Sequence, residues 1–375
     1  MKLLRLSLFS VLILLLVTSN LGLMQDDPYR KSILYGVFAV LLMQAICSTS
    51  KTGMHIFSRI FAITILIIFY EFAFKDIPIL DDWILPLVMD VGMFLIGMHV
   101  FEKGDMKRLF QIYVSVCSIA ALYSILSFDS SDIYGFGLKN NQAPIYLIAS
   151  VLLVMNAEGF KTWLNRILLA INFLAIFSIN SRSNMLGLVL IILYVIVKEW
   201  KNYKKYLRSW KVLLVASLCI IGIIRYIENL IQFFSVAFRL TYLRDEGLER
   251  YSSDRITMIK DGFKYFSGNE FLGIFNTYVA PPNFYIESFP IDCLVQLGIV
   301  GALLYFFWFK SVSYYLFRKN ADIVGKMCFL VMMIVCCFES NAPLSPGTTW
   351  GFAWIMVGFY SAKSYYEYKS QRIKI

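Results

Sequence analysis

The chain has 375 residues, 59% of them hydrophobic, 17% aromatic and only 16% charged, where a soluble domain carries roughly a quarter charged. The net charge of +10 is spread over short links between apolar runs, a topology pattern that excludes a nucleic-acid surface. No glycine-rich phosphate loop and no zinc-ligand spacing occurs, so the chain brings no nucleotide-driven pump machinery of its own.

Apolar runs near 18 residues recur from end to end, each long enough to cross a hydrocarbon core of about 30 Å as a helix. They predict an all-α polytopic membrane protein of about twelve transmembrane helices. The runs are 4–23, 32–49, 56–74, 83–101, 108–127, 142–157, 162–180, 184–199, 210–228, 288–309, 322–339 and 347–364. The first follows Met1-Lys-Leu-Leu-Arg as a signal peptide would. No small-residue cleavage site comes after it, so it is expected to stay as the first span. Residues 1–228 thus hold nine spans, 229–287 a large loop with short helices, and 288–375 three spans and a tail.

The cations set an expected orientation. With the N-terminus cytoplasmic, inner links hold Lys103, Lys107 and Arg108, then Lys198, Lys201, Lys204, Lys205, Arg208 and Lys211, then Lys310, Arg318 and Lys319. Short outer links hold only Arg30, Lys31, Lys75, Lys139 and Arg182. Both termini are therefore expected in the cytoplasm and the 229–287 loop outside, the placement of a bacterial cell-membrane protein. Tyr70, Trp83, Trp163, Trp200, Trp210, Trp308, Tyr314, Tyr315 and Trp350 fall near run ends and are expected to form interfacial belts. The seven cysteines lie in or at the edge of apolar runs, which predicts buried thiols rather than a disulfide framework.

The large loop is the only long polar segment. Residues 229–243 read as a helix lying on the membrane surface. Ser252-Ser-Asp254 reads as a helix start, with Ile256, Ile259, Phe263 and Phe266 at helical spacing and Ser267-Gly-Asn269 as its end. Phe271-Leu-Gly-Ile reads as a turn before Pro281-Pro282.

Three stretches in order resemble the O-antigen ligase and Wzy-type polymerase superfamily. They are Ile179-Asn-Ser-Arg-Ser-Asn-Met-Leu-Gly187, Asp254 to Gly273, and Glu287-Ser-Phe-Pro-Ile-Asp-Cys-Leu-Val-Gln-Leu-Gly-Ile-Val-Gly301. In the second, Phe271 replaces the family's usual proline. In the third, Gln296 replaces a glutamate, and Glu287-Ser288 stands where many relatives carry His-Asn. The two histidines, His55 and His99, are expected near the cytoplasmic side. This departure favours the polymerase branch over the ligase branch.

The resemblance implies glycosyl transfer between lipid-linked sugars at the outer membrane face. The donor would be a glycan on undecaprenyl pyrophosphate and the acceptor a lipid-linked repeat unit, within membrane lipid and beside flippase and chain-length regulator proteins. It implies no nucleic acid and no cofactor. Such a reaction needs charge stabilisation at the departing pyrophosphate and a base for the accepting hydroxyl. Arginine suits the first task, because its planar fork holds phosphate oxygens in pairs. Arg182 and Arg255 are the leading candidates, with Arg239, Arg244 and Arg250 as further donor-phosphate or glycan contacts. Glu287 is the first candidate base, Asp292 the second and Glu339 the third. The carboxylates show no recurring metal-ligand spacing, so a metal-independent reaction is expected. Two other readings stay open: a ligase moving finished polymer, and a flippase or transporter, which would show internal repeats and charges at mid-membrane.

Overall fold

A computed structural model describes residues 2–20, 28–48, 51–74, 83–103, 106–126, 139–179, 181–207, 255–274, 286–318, 321–339, 343–344 and 349–373. The ninth predicted span, the surface segment 229–243, and Arg239, Arg244 and Arg250 lie outside the described residues. Within them the chain is helical throughout, with no strand. The helices are α1 (Lys2–Ser19), α2 (Pro28–Ser48), α3 (Lys51–Phe74), α4 (Leu85–Lys103), α5 (Met106–Leu126), α6 (Lys139–Val154), α7 (Thr162–Ser178), α8 (Arg182–Leu207), α9 (Arg255–Phe266), α10 (Phe289–Ser313), α11 (Ile323–Cys336) and α12 (Gly351–Ile373).

All but α9 coincide with apolar runs of the sequence, and α9 is the helix expected inside the large loop. Among the described residues, by length and composition four segments can cross a membrane: Tyr29–Cys47, Met54–Phe74, Met106–Leu126 and Phe289–Ser313. Shorter apolar helices, such as Leu85–Val100 and Asn141–Val154, complete the bundle. The protein is a polytopic helical membrane protein.

Which helices are central follows from their residues. A helix apolar on every side has no face to offer water. The apolar α4 is buried at every position from Met89 to Val100, and α6 from Gln142 to Leu153. Alongside α4 runs α12, close enough that a Cβ on Gly97 would overlap the Ile355 carbonyl and one on Gly358 the Phe94 carbonyl. Small residues allow such close approach, which helps hold helices together where lipid offers no hydrophobic drive.

Several expected belt aromatics are structural instead. Tyr70, Trp83, Trp308, Tyr315 and Trp350 are buried, while Trp163 and Tyr314 are exposed. For Tyr70, Trp83 and Trp308 the reason is that their polar tips find partners inside the protein. Trp308 Nε1 donates to Thr64 Oγ1 on α3 at 3.0 Å, and Trp83 Nε1 to Gln296 Oε1 on α10 at 3.1 Å.

The tenth predicted span departs most from a simple rod. Gly298 interrupts α10 with φ 69° and ψ −177°. The Phe289 ring lies 5.9 Å from both the Tyr305 and the Phe309 ring. In an unbroken helix, residues 16 and 20 apart would sit about 24 and 30 Å apart. Residues 289–297 therefore form a short arm folded back on the long arm 299–313.

The bend has its own hydrogen-bond partners, as buried backbone requires. Ile299 N donates to Glu270 O at 2.9 Å and Val300 N to Phe271 O at 3.3 Å. The freed Leu297 carbonyl accepts from Tyr70 Oη at 2.6 Å. Gly273, in the turn after α9, also has positive φ (76°), and the two glycines touch backbone to backbone. Ile274, Ile286 and Val295 form a small apolar cluster that seats α9 on the short arm.

Gly298→Ala must strain φ and push a methyl into the Phe271 carbonyl. It is expected to destabilise the purified protein by at least ~2 kcal/mol. Thermal unfolding in detergent measures this; an unchanged melting temperature would contradict the folded-back bend.

Candidate functional site

Four elements end at one place. Arg255 is the first residue of α9, Glu287 precedes the short arm of α10, Glu339 follows α11, and Ser183 lies in the first turn of α8. The helix α11 ends at Cys336, so Glu339 stands on the link beyond it rather than in the run predicted as 322–339.

Arg255 joins the two carboxylates. Its Nε donates to Glu287 Oε2, and its Nη2 lies 3.4 Å from Glu339 Oε1. Ser183 Oγ donates to the same Glu339 oxygen at 2.6 Å. Asn184 Nδ2 supports the serines from behind by donating to Ser181 Oγ at 2.9 Å. The Arg255 and Glu287 side chains keep 21% and 23% of their surface accessible, against 8% for Glu339. The Arg255–Glu287 pair thus stays partly accessible, and Glu339 is the more deeply buried partner.

Burial holds the Glu339 carboxyl above the usual carboxylate range, and the nearby Glu287 charge adds to that. Arg255 and the Ser183 hydrogen bond pull the other way. An arginine has five N–H donors, and these two contacts leave several for a further oxyanion. The cluster therefore offers a charge-assisted donor beside two acceptors.

The other predicted residues sort around this cluster. Arg182 is half-buried on the first turn of α8, next to Ser183 and thus beside the Glu339 contact. Asp292 is buried at the start of the short arm, where its Oδ1 accepts from Ile286 N at 3.0 Å and from Gln296 Nε2 at 2.5 Å. That carboxylate braces the fold-back, one turn beyond Glu287.

Sequence reasoning missed Ser183 as a partner of Glu339, although the Ser-Arg-Ser segment was its signal. It also missed two carboxylates inside helices. Glu71 on α3 accepts from Tyr305 Oη at 2.9 Å, and Asp90 on α4 is wholly buried. His55 lies edge-on to the Tyr365 ring, 6.2 Å between centroids, and His99 is buried in the second half of α4.

Residues 167–306 match the model of the O-antigen ligase family. The match takes in α8, α9 and most of α10, and therefore Arg182, Ser183, Arg255, Glu287 and Asp292; Glu339 lies beyond it. No curated protein matches the chain. The match, in a polytopic helical membrane protein, supports a membrane glycan-processing function.

Removing Arg255 leaves two carboxylates facing each other, one of them the largely buried Glu339, which then loses its cation. Arg255→Ala should therefore destabilise the protein, increasingly so as pH rises. A carboxyl whose folded pKa is raised holds its proton more tightly folded than unfolded, so its favourable contribution is present in acid and lost above the ordinary carboxylate range. Deleting Arg255 removes a group that lowers this pKa and steepens the slope. Unfolding midpoints between pH 5 and pH 8 (roughly the window above the ordinary Glu value) test this. Adding Glu339→Gln to Arg255→Ala should flatten the dependence.

Proposed function

We propose that this protein is an oligosaccharide repeat-unit polymerase. It transfers a growing glycan from undecaprenyl pyrophosphate to the free hydroxyl of a lipid-linked repeat unit, at the outer face of a bacterial cell membrane. The observation that carries this reading is the partly accessible Arg255–Glu287–Glu339 cluster, within and beside the segment that matches the O-antigen ligase family.

In this reading Glu287, the more open carboxylate, takes the proton of the accepting hydroxyl as its oxygen attacks the anomeric carbon of the donor. The bond from that carbon to the pyrophosphate oxygen breaks, and the pyrophosphate leaves on its lipid. Arg255, through the donors its carboxylate contacts leave open, and Arg182 stabilise the charge that develops there. Glu339 holds Arg255 in position. Arg239, Arg244 and Arg250 remain candidates for the glycan or the phosphates, and Asp292 the reserve candidate for the base. Flippase and chain-length regulator proteins are the expected partners.

Ligation is the second reading, favoured by the description of the matched family. The two differ in product. Purified protein given only the lipid-linked repeat unit should build a ladder rising one unit at a time. A product formed only when a different acceptor is added would assign ligation instead.

In the same assay Glu287→Gln should lower the turnover rate roughly 100-fold or more, with a smaller change in apparent substrate affinity. Near-normal turnover would move the base elsewhere. Arg255→Ala and Arg182→Ala should abolish long-chain product in cells that insert the protein normally.

A further inference from the structure

A second feature lies at the other end of the long arm of α10. There residues of α3 and α10 line a groove of about 510 Å³. Small-molecule sites span about 300–1,000 Å³. Leu66, Leu304 and Phe307 wall it, and Arg59, Lys310 and Tyr314 close one end. Arg59 lies early in α3, whereas Tyr70, late in the same helix, meets the Gly298 bend. The groove is therefore separate from the Arg255 cluster.

Among the described residues neither Arg59 nor Lys310 makes an ion pair. Each lies over an aromatic face instead, Arg59 5.2 Å from the Tyr314 ring centre and Lys310 5.9 Å from that of Phe307. Arg318 adds a third positive charge at the rim, donating to Tyr314 Oη at 2.9 Å. Cation–π contacts lower the cost of such charges but do not neutralise them. The walls have the opposite character, with Leu66 55% and Phe307 47% exposed.

We propose that this groove binds an anionic phospholipid of the surrounding membrane, its phosphate between Arg59 and Lys310 and one acyl chain along Leu66 and Phe307. Two cations at one end of an apolar channel on a membrane-facing surface complement an amphiphile with a negative head. A zwitterionic lipid would bring its own cation against Arg59, Lys310 and Arg318. Basic pockets between transmembrane helices recognise lipid headgroups in this way.

The test uses the full chain in detergent, stripped of lipid and then offered phosphatidylglycerol or phosphatidylcholine with the same acyl chains. Native mass spectrometry reads the bound lipid, and a titration gives its affinity. Phosphatidylglycerol should be retained and phosphatidylcholine should not. Arg59→Gln and Lys310→Gln should each weaken phosphatidylglycerol about fivefold. Leu66→Trp, which fills the apolar channel and spares the cations, should weaken it too, and glycerol phosphate should fail to displace it. Equal retention of both lipids, undiminished affinity in the charge variants or the Leu66 variant, or displacement by glycerol phosphate would each overturn the proposal. Thermal unfolding of every variant confirms that the fold survives.

Discussion

Two glycines in backbone contact determine the geometry of the candidate site. Gly273 and Gly298 both hold positive φ, and neither has room for a Cβ against the other's strand of backbone. Because Gly298 turns the chain, the tenth apolar segment becomes two arms instead of one rod. Because the arms fold together, Phe289 packs on Tyr305 and Phe309, and Glu287 is delivered beside Arg255 instead of far from it. Membrane interiors tolerate broken backbone only where protein re-satisfies it. Here the Glu270 and Phe271 carbonyls and the Tyr70 hydroxyl do so. The turn after α9 and the bend in α10 are thus one structural unit, and α9 is carried to the site by it.

The electrostatics of the cluster rest on that placement. A carboxylate as buried as Glu339 needs a cation and hydrogen bonds to stay charged. Arg255 and Ser183 supply both, from two elements remote in sequence. The two carboxylate contacts use only part of the guanidinium's five N–H donors, and the others can meet a phosphate. A ligand anion arriving there would compete with Glu287 for Arg255 and free the more accessible carboxylate to act as an acceptor. Binding the donor and readying the base would then be one event.

Much of this was legible from the residues. The apolar runs gave the helices, because a span must satisfy its backbone internally and the menu is short. Ser267-Gly-Asn269 marked the end of α9 correctly, since breakers act locally, while the expected start at Ser252-Ser-Asp254 lies outside the described residues. The aromatics were misjudged because a Trp or Tyr near a run end is read from depth alone. Trp83 and Trp308 are instead fixed by partners on other helices, Gln296 and Thr64, which no local pattern reveals. The fold-back escaped for the same reason. Leu297-Gly298-Ile299 inside an apolar run reads as continuous helix, and only the distant Glu270–Gly273 turn shows why a glycine is needed there. Glu71 and Asp90 were hidden by long apolar neighbours, although a carboxylate inside a span is a strong signal of an interior partner.

Gln296 shows how a departure from a family pattern can be a requirement of the fold. Its side chain performs two opposite tasks, donating through Nε2 to Asp292 and accepting through Oε1 from Trp83. An ionised glutamate has acceptors only. At this position it would keep the Trp83 bond but set a second charge against Asp292, with no donor between them. The amide keeps Asp292 hydrogen-bonded, and Asp292 in turn holds the Ile286 amide at the foot of the short arm. Ile286 is the residue before Glu287. The substitution that loosens the resemblance at one position therefore steadies the backbone beside the carboxylate on which the proposed chemistry depends.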